Sequence, residues 1–573
     1  MQIMKWFFRL AAFVCPLFTF SQSTYIPLGT KAYDFIDRME IKLQGNTNLN
    51  FSNAKPYNRK YVVREIENLD SAGIAAIDTA LGFDRFADRT ELKLTPVDQY
   101  NLRSLMVNNL EWVQQDRMDF ETTSPFLNTF YKSKANFLEV NNKDFFLAVN
   151  PVINLQFGTS SGRNNIYLNT RGVTARGMIA NKVGFLTTIT ENQEKGPDFF
   201  QQRTNEFLAV PGVGFYKSFK KTGYDYFDAR GYITFNAAKF IDFQFGFDKN
   251  FIGNGFRSMF LSDFGNSYLF LKINTRIWKL NYQNIFAELM PQFKKISGDQ
   301  LLDRKYAAMH HLSMNVTRWL NVGIFEGVIF GRKNRFDFQY LNPVIFYRHI
   351  EGTIGSPDNA VAGVDFKANI AHTAQLYGQL LLDEFQLSEL KANRGYWANK
   401  YALQLGVKYV DAFKINNLDL QFEANLARPF TYSHKDTIAN YTHYNQPLAH
   451  PLGGNFRELI AIMKYQPLPK VYLYGRLLSY VQGLDSLGRN FGSNPLRNYT
   501  SRPRDFGFEI GGGYKATCLN ATFVASYELK ENLFIDATAL VRTYKIKQLS
   551  STDNTSMLSV GVRWNIARRD YAY

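Results

Sequence analysis

Cysteine is nearly absent from this 573-residue chain, which holds only Cys15 and Cys518. Cys15 lies in an apolar N-terminal stretch that reads as an export signal, and a mature chain with Cys518 alone closes no internal disulfide, which excludes a disulfide-stapled scaffold. Long apolar runs are missing as well. Beyond the first 21 positions nothing approaches the ~20 consecutive apolar residues of a membrane-crossing helix. Acidic charge is in deficit, with 50 Asp+Glu against 66 Lys+Arg and a net charge of +16. Aromatic residues are abundant: 51 Phe and 33 Tyr help bring them to 16% of the chain, and apolar residues to 45%, which excludes a disordered chain. Mean hydropathy is nevertheless −0.27, so apolar and polar side chains must alternate. A large soluble protein and a transmembrane β-barrel remain.

The N-terminus predicts a signal peptide over residues 1–21. Lys5 and Arg9 precede an apolar core from Leu10 to Phe20, and Thr19-Phe20-Ser21 supplies small residues where a signal peptidase reads them. The mature chain is expected to start at Gln22. Val14 before Cys15 and Pro16 after it speak against a lipoprotein anchor. Residues 22–130 read as helical. Thr95, Pro96 and Asp98 offer an N-cap, a first-turn proline and a capping carboxylate, followed by Leu102, Leu105, Met106, Leu110 and Val113 on one face. A second helix is expected after Asn58, with Val62, Ile66 and Leu69 as its stripe. An earlier helical turn after Gly29 and Thr30 would carry Tyr33, Ile36 and Glu40. This region holds 12 Lys+Arg and 15 Asp+Glu, a net of −3.

From Tyr131 to Tyr573 the period becomes two. Ile241, Phe243, Phe245 and Phe247 alternate with Asp242, Gln244, Gly246 and Asp248. Leu418 to Leu426 repeats the pattern against Asp419, Gln421, Glu423 and Asn425, and Leu558 to Ile566 against Ser559, Gly561, Arg563 and Asn565. A weaker case runs from Leu533 to Val541. A soluble sandwich or propeller would turn the apolar face inward, and a membrane barrel would turn it to lipid. Blade repeats are not visible, and aromatic clusters such as Tyr224-Asp225-Tyr226-Phe227 and Tyr472-Leu473-Tyr474 suit interfacial girdles. The prediction is therefore an all-β transmembrane barrel of roughly 18 antiparallel strands over 131–573, preceded by a small α-helical plug. At the chain's end Tyr573 is out of phase with Ile566, so either a bulge near Arg568-Arg569 restores the phase or the strand stops and leaves a tail.

Catalytic constellations are not found, and no cofactor is called for. Gly158-Thr159-Ser160-Ser161-Gly162 formally matches a nucleophile elbow, but Leu155 and Phe157 before it and Ile166 and Leu168 after it read as a β-hairpin, not as the strand-turn-helix that a nucleophile requires. No phosphate loop or dinucleotide fingerprint occurs. His310 and His311 are neighbours in a strand and point to opposite faces, while His434, His443 and His450 share one polar loop, so no metal site is assigned.

Charge is more informative. The barrel segment holds 52 Lys+Arg and 35 Asp+Glu, a net of +17. Anionic lipopolysaccharide at the rim is one explanation, and an acidic polysaccharide bound by arginines beside exposed aromatic rings is another. Nucleic acid is not an expected partner of an exported barrel. Gly331 to Phe366 is dense in such groups, and Asn342-Pro343 interrupts its strand. A bulge there would aim Tyr340, Asn342 and Arg348 into the lumen, while a plain strand-to-turn transition explains the segment equally well. The glycan-binding candidates are Arg332, Lys333, Arg335, Tyr340, Arg348 and Trp397. Arg257 and Asp263 read as lumen charges that satisfy each other or their neighbours.

Three stretches carry a family resemblance: Tyr33, Ile36, Asp37 and Arg38 with Ala54-Lys55-Pro56-Tyr57-Asn58-Arg59; GNGFRSMFLSDFGNSYLFLKI from Gly253 to Ile273; and RFDFQYLNPVIFYRHIEGTIGSPDNAVAGVDF from Arg335 to Phe366. In this order they resemble the Wzi-type capsule assembly outer-membrane proteins, and in particular the gliding-motility relatives of the RemB type. The resemblance implies an 18-stranded barrel in the outer membrane of a Gram-negative bacterium, with its helices at the periplasmic end. It also implies a lectin-like, non-catalytic role in tying exported polysaccharide to the cell surface. Expected partners are that polysaccharide, lipopolysaccharide and outer-membrane lipid; the alternative is a component of gliding motility or type 9 secretion machinery.

Overall fold

Alternation of apolar and polar side chains lets a strand turn one face to lipid, and because no water pairs the backbone there the sheet must close on itself. It does so here. The computed structural model describes residues 23–45, 48–72, 94–114, 120, 129–294, 301–343, 346–355 and 357–573. The predicted signal and its cleavage point lie outside the described residues.

Eighteen antiparallel strands form the closed barrel. They are β1 (Phe145–Ser160), β2 (Arg163–Ile179), β3 (Val183–Lys195), β4 (Gly223–Ala238), β5 (Ile241–Asp248) and β6 (Tyr268–Ile277). Then come β7 (Leu280–Leu289), β8 (Lys305–Asn315), β9 (Leu320–Phe330), β10 (Asn359–Ile370), β11 (Ala374–Glu384) and β12 (Lys400–Tyr409). The last six are β13 (Leu418–Ala427), β14 (Phe456–Leu468), β15 (Val471–Leu484), β16 (Tyr514–Lys530), β17 (Leu533–Ile546) and β18 (Ser551–Trp564). Pairing of β18 with β1, with Val562 opposite Leu155, closes the ring. The predicted strand count and architecture are therefore observed. The apolar sets read from the sequence face outward: Phe245, Phe422, Leu558 and Val560 are exposed, while Asp242, Gln244, Glu423 and Ser559 are buried in the lumen.

The aromatic clusters are a correction. Tyr224 and Tyr226 turn inward, their hydroxyls donating to Asn205 and Glu194, and Tyr472 donates to Glu528. Their hydroxyls find polar partners in the lumen that lipid would not supply. Exposed Phe240, Trp278, Trp319 and Phe413 instead border the short-turn end of the barrel.

Three helices plug that end: α1 (Lys31–Leu43), α2 (Arg59–Ala72) and α3 (Pro96–Val107). The Thr95 side chain accepts from the Asp98 N–H, and the Asp98 carboxylate accepts in return from the Thr95 N–H. Ile36, Val62, Ile66, Leu102, Leu105, Met106 and Leu110 form the plug core. The plug's acids meet the wall's cations: Asp34 pairs with Lys464 at 2.6 Å, Asp37 with Lys408 at 2.6 Å, Glu40 with Lys367 and Glu111 with Arg176. Conversely, Arg38 reaches Asp98, Asp411 and Asp419 at 2.7, 2.5 and 2.6 Å. Ala54-Lys55 of the plug pairs as a short strand with Phe251-Ile252, which belongs to a loop descending from the opposite end.

The chain's end follows the second of the two expectations. After Trp564 the strand stops and residues 565–573 turn into the lumen. There Arg569 and Tyr571 bind Glu194 at 3.0 and 2.8 Å, Asp570 pairs with Arg476, and the Ala572 carbonyl accepts from Arg257 at 2.6 Å. Tyr573 is buried and was never a lipid-facing residue.

Removing Arg38 would take the ion-pair partner from Asp419 and leave Asp98 and Asp411 to share Lys42 at the plug boundary. Arg38→Ala is expected to cost about 3–5 kcal/mol of plug docking, read as the urea midpoint at which residues 31–107 become protease-sensitive. The pH dependence follows from the same pairs. Burial pushes the Asp37 carboxyl up, but Lys408, with Lys55 and Lys464 nearby, outweighs it and brings it to about 2. Burial also opposes the Asp98 carboxyl, which Arg38 and Lys42 hold below its ordinary range. Groups depressed in this way stabilise above the unfolded pKa of about 4 and lose that contribution as pH falls through the folded value. Protease resistance of the plug should stay constant from neutral pH to about 4.5 and collapse between about 4 and 2.

Candidate functional site

Two loops from the long-loop end fold inward and close the lumen there. Met259, Phe260 and Leu261 pack with Tyr432, Tyr441, Leu448 and Leu452 against the inward Ala307, Met309, Phe325 and Ile329. Phe260 stacks on Phe325 at 4.6 Å. Tyr432 and Tyr441 donate to the carbonyls of Met259 and Phe260 at 2.9 and 2.8 Å. Below them a cavity of about 750 Å³ lies among the plug, the C-terminal tail and the wall, lined by β1 to β5 and by β12 to β18. Arg257, predicted to be a satisfied lumen charge, bonds Glu458 at 3.1 Å and through it joins His450, so its carboxylate partner is Glu458 and not Asp263.

With the lumen closed at its long-loop end, surface chemistry is left to the outside of the barrel, and the structure divides the six nominated residues between two places there. Trp397 belongs to the first. The loops 385–399 and 485–513 are joined by backbone bonds from Trp397 N to Asp505 O, Gly507 N to Arg394 O and Phe508 N to Gly395 O, at 2.8 to 3.0 Å. Gly395 is required: its φ is +66° and a Cβ would lie 2.8 Å from the Phe508 nitrogen. The joined loops present a group of rings. Trp397 lies 4.8 Å from Tyr499 and 6.0 Å from Tyr396, which is 5.3 Å from Phe506. Guanidinium groups surround them: Arg502 lies 3.9 Å over Trp397 and Arg394 4.6 Å over Phe506, and exposed Arg504 follows in the same loop. Arg394 is held by both oxygens of Glu389, and Arg502 by Asp505 at 2.7 Å. Planar rings beside charge-assisted donors stack on sugar faces and receive carboxylates. Tyr396, Tyr499, Arg502 and Phe506 were not nominated from the sequence. The Tyr-Trp and Arg-Pro-Arg-Asp-Phe runs in Gly- and Asn-rich loops were the available signal.

The other five residues lie on the loop 331–358, and of the two readings of this segment the luminal bulge is not observed. The loop folds outward and lies against the outer face of β7 to β9. Met309 and His311 of β8 face the lumen, so His310 between them faces out, yet it is fully buried, with its ring against Tyr347. Outward Glu326 and Val328 of β9 are buried in the same way. Arg332 holds Asp358 through two bonds of 2.7 and 2.6 Å, and the buried Tyr340 hydroxyl donates to Asp358 at 2.6 Å. Glu326 accepts from the N–H groups of Phe346 and Arg348 at 2.5 and 3.1 Å. Lys333, Arg335 and Arg348 point to the exterior.

Ser160 lies at the end of β1 in the hairpin the sequence predicted, opposite Arg163, and its hydroxyl donates to the Ser161 carbonyl at 3.4 Å. The loop histidines go separate ways, His443 to Ser267 and Met290, His450 to Glu458, His434 to Asp436. Among the described residues no cluster of His, Cys, Asp or Glu is built to hold a metal ion.

An 18-stranded transmembrane barrel, plugged by N-terminal helices and capped by its own loops, is the class of protein that this fold defines. Comparison adds a partial match: residues 216–469 match the model of a family described as capsule assembly protein Wzi. A search of curated proteins finds no match. Among solved structures the chain is similar to Wzi of Escherichia coli, described as an outer membrane protein involved in group 1 capsule assembly and a carbohydrate-binding β-barrel. The TM-score is 0.55 at 12% identity, over 96% of this chain and 100% of that one. OprD of Pseudomonas aeruginosa gives 0.41 at 11% identity over 72% and 94%. OccK8 (OprE) of the same organism gives 0.40 at 9% over 73% and 97%. The chain thus shares the Wzi barrel fold, and these findings bear on the Wzi resemblance and not on the gliding-motility one.

Arg332 should act as the clamp of the outward loop. Arg332→Ala is expected to cost that loop about 2 kcal/mol, seen as faster amide hydrogen exchange over 346–355 with exchange in β9 and β10 unchanged.

Proposed function

We propose that the protein is a non-catalytic outer-membrane receptor that holds an acidic surface polysaccharide at its long-loop rim. The observation that carries this reading is the group formed by Tyr396, Trp397, Tyr499 and Phe506 with Arg394, Arg502 and Arg504. The family match and the description of the Escherichia coli barrel support it. In this reading the short-turn end, with the plug and residues 22–130, faces the periplasm, as short turns do in such barrels, and the rim faces the medium. Of the six nominated residues, Trp397 keeps its glycan role. Arg332 and Tyr340 are positioning residues that fix a neighbouring loop.

The test is titration of the detergent-folded protein with the host's own surface polysaccharide at rising salt. Saturable binding that weakens with salt is expected, and Trp397→Ala should weaken it about tenfold through lost stacking. The barrel's resistance to unfolding in gel electrophoresis should not change. Binding by Trp397→Ala equal to that of the unaltered protein would sink the reading.

A further inference from the structure

The loop 331–358 lies on the outer wall of the barrel. Beside this loop the outward positions are exposed and apolar, as in Ile324 and Val364, and an outward charged pair elsewhere in the wall, Arg171 with Glu191, is itself exposed. Under it the outward positions include His310 and Glu326, polar groups that hydrocarbon would not tolerate unpaired. The loop satisfies them with Tyr347 and with the N–H groups of Phe346 and Arg348. Because β7 to β9 are only 10 to 11 residues long, about the length needed to cross the hydrocarbon layer, a loop on their upper halves sits at the level of the outer leaflet.

Its free surface is amphipathic. Phe338, Leu341 and Phe346 are 78%, 40% and 71% exposed. Beside them the charges are sorted by sign. Asp358 and Glu351 are buried, with Asp358 held by Arg332 and Tyr340, and Asp337 faces Arg332 at 3.5 Å. Lys333 and Arg335 are exposed, and no ion pair to either is found among the described residues. The Arg348 side chain, 74% exposed, touches Glu351 at 2.7 Å and keeps its remaining donors outward. Three outward cations bordering three outward apolar side chains, at the height of lipid headgroups, fit a ligand with both acyl chains and phosphate.

We propose that the outer face of this loop binds a phosphorylated, multiply acylated glycolipid of the outer leaflet, with its phosphates at Lys333, Arg335 and Arg348 and its acyl chains against Phe338, Leu341 and Phe346. This site is separate from the polysaccharide rim around Trp397. It assigns the cations of the loop to the membrane and not to the exported polymer.

The experiment uses the full-length protein in nanodiscs of phosphatidylethanolamine containing bisphosphorylated lipid A, with lipid that stays bound counted by native mass spectrometry. Retention of lipid A is expected to fall about tenfold in Lys333→Gln/Arg335→Gln, and to fall in Phe346→Gln as well. Both variants change exposed side chains, and unaltered polysaccharide binding at Trp397 would show that the barrel is folded. Lipid A stripped of its phosphates should be retained no better than phosphatidylethanolamine. Equal retention by the unaltered protein and the double variant would overturn the proposal, as would equal retention of the dephosphorylated lipid. Retention of phosphatidylglycerol as strong as that of lipid A, or complete displacement by millimolar inorganic phosphate, would also overturn it, in favour of a general anion site.

Discussion

Charge complementarity between the plug and the inner wall is the constraint on which the rest of the molecule depends. A lumen too wide for side chains to fill must be packed by other parts of the chain, and the charges buried in doing so must be paired. The acids of the helical region, Asp34, Asp37, Glu40 and Glu111, meet Lys464, Lys408, Lys367 and Arg176 of the wall. That seats the plug in one orientation. The seat places Ala54-Lys55 beside Phe251-Ile252, which places Met259 and Phe260 under Tyr432 and Tyr441, and the top of the lumen closes. Part of the barrel's basic excess is therefore internal, and neither lipopolysaccharide nor polymer is needed to account for that part.

A closed lumen leaves the outer surface for recognition, and in the proposed reading two surfaces take it up. Around Trp397, two loops bonded through their backbones hold rings and guanidinium groups in fixed relation, so a polymer would meet a surface already ordered. On the outer wall, the loop from Gly331 to Asp358 is anchored by pairs that bury its acids and turn its cations outward. Both surfaces depend on acid–arginine pairs. In the first the pairs hold the arginines in place, and in the second they remove negative charge from view.

The barrel was legible in the sequence because its signal is local. Period-two alternation, as in Ile241 to Phe247, needs no knowledge of partners, and the Thr95-Pro96-Asp98 cap is complete within four residues. The net charges of −3 and +17 already contained the seating of the plug, though not which residues meet. What stayed hidden depends on distant chain. Tyr224 and Tyr226 resemble a membrane girdle until Asn205 and Glu194 are placed beside them. His310 is read correctly as facing away from His311, but nothing local says that residues 37 positions later will cover it. Asn342-Pro343 was rightly seen as an interruption, and its direction, outward and not into the lumen, is set by Glu326 on another strand. Trp397 was nominated from charge and aromaticity alone; the Tyr499 and Arg502 that pack against it arrive from a loop about a hundred residues away.

The two-residue pairing of Ala54-Lys55 with Phe251-Ile252 also has a mechanical side. It joins a segment entering from the short-turn end to a loop that hangs from the opposite rim, and that loop is bonded onward to Tyr432 and Tyr441. A pull on the N-terminal helices would be shared between the ion pairs to the wall and this line, which carries part of it to the outer loops. The plug and the outer loops are thus coupled by a route through the lumen in addition to the route through the strands.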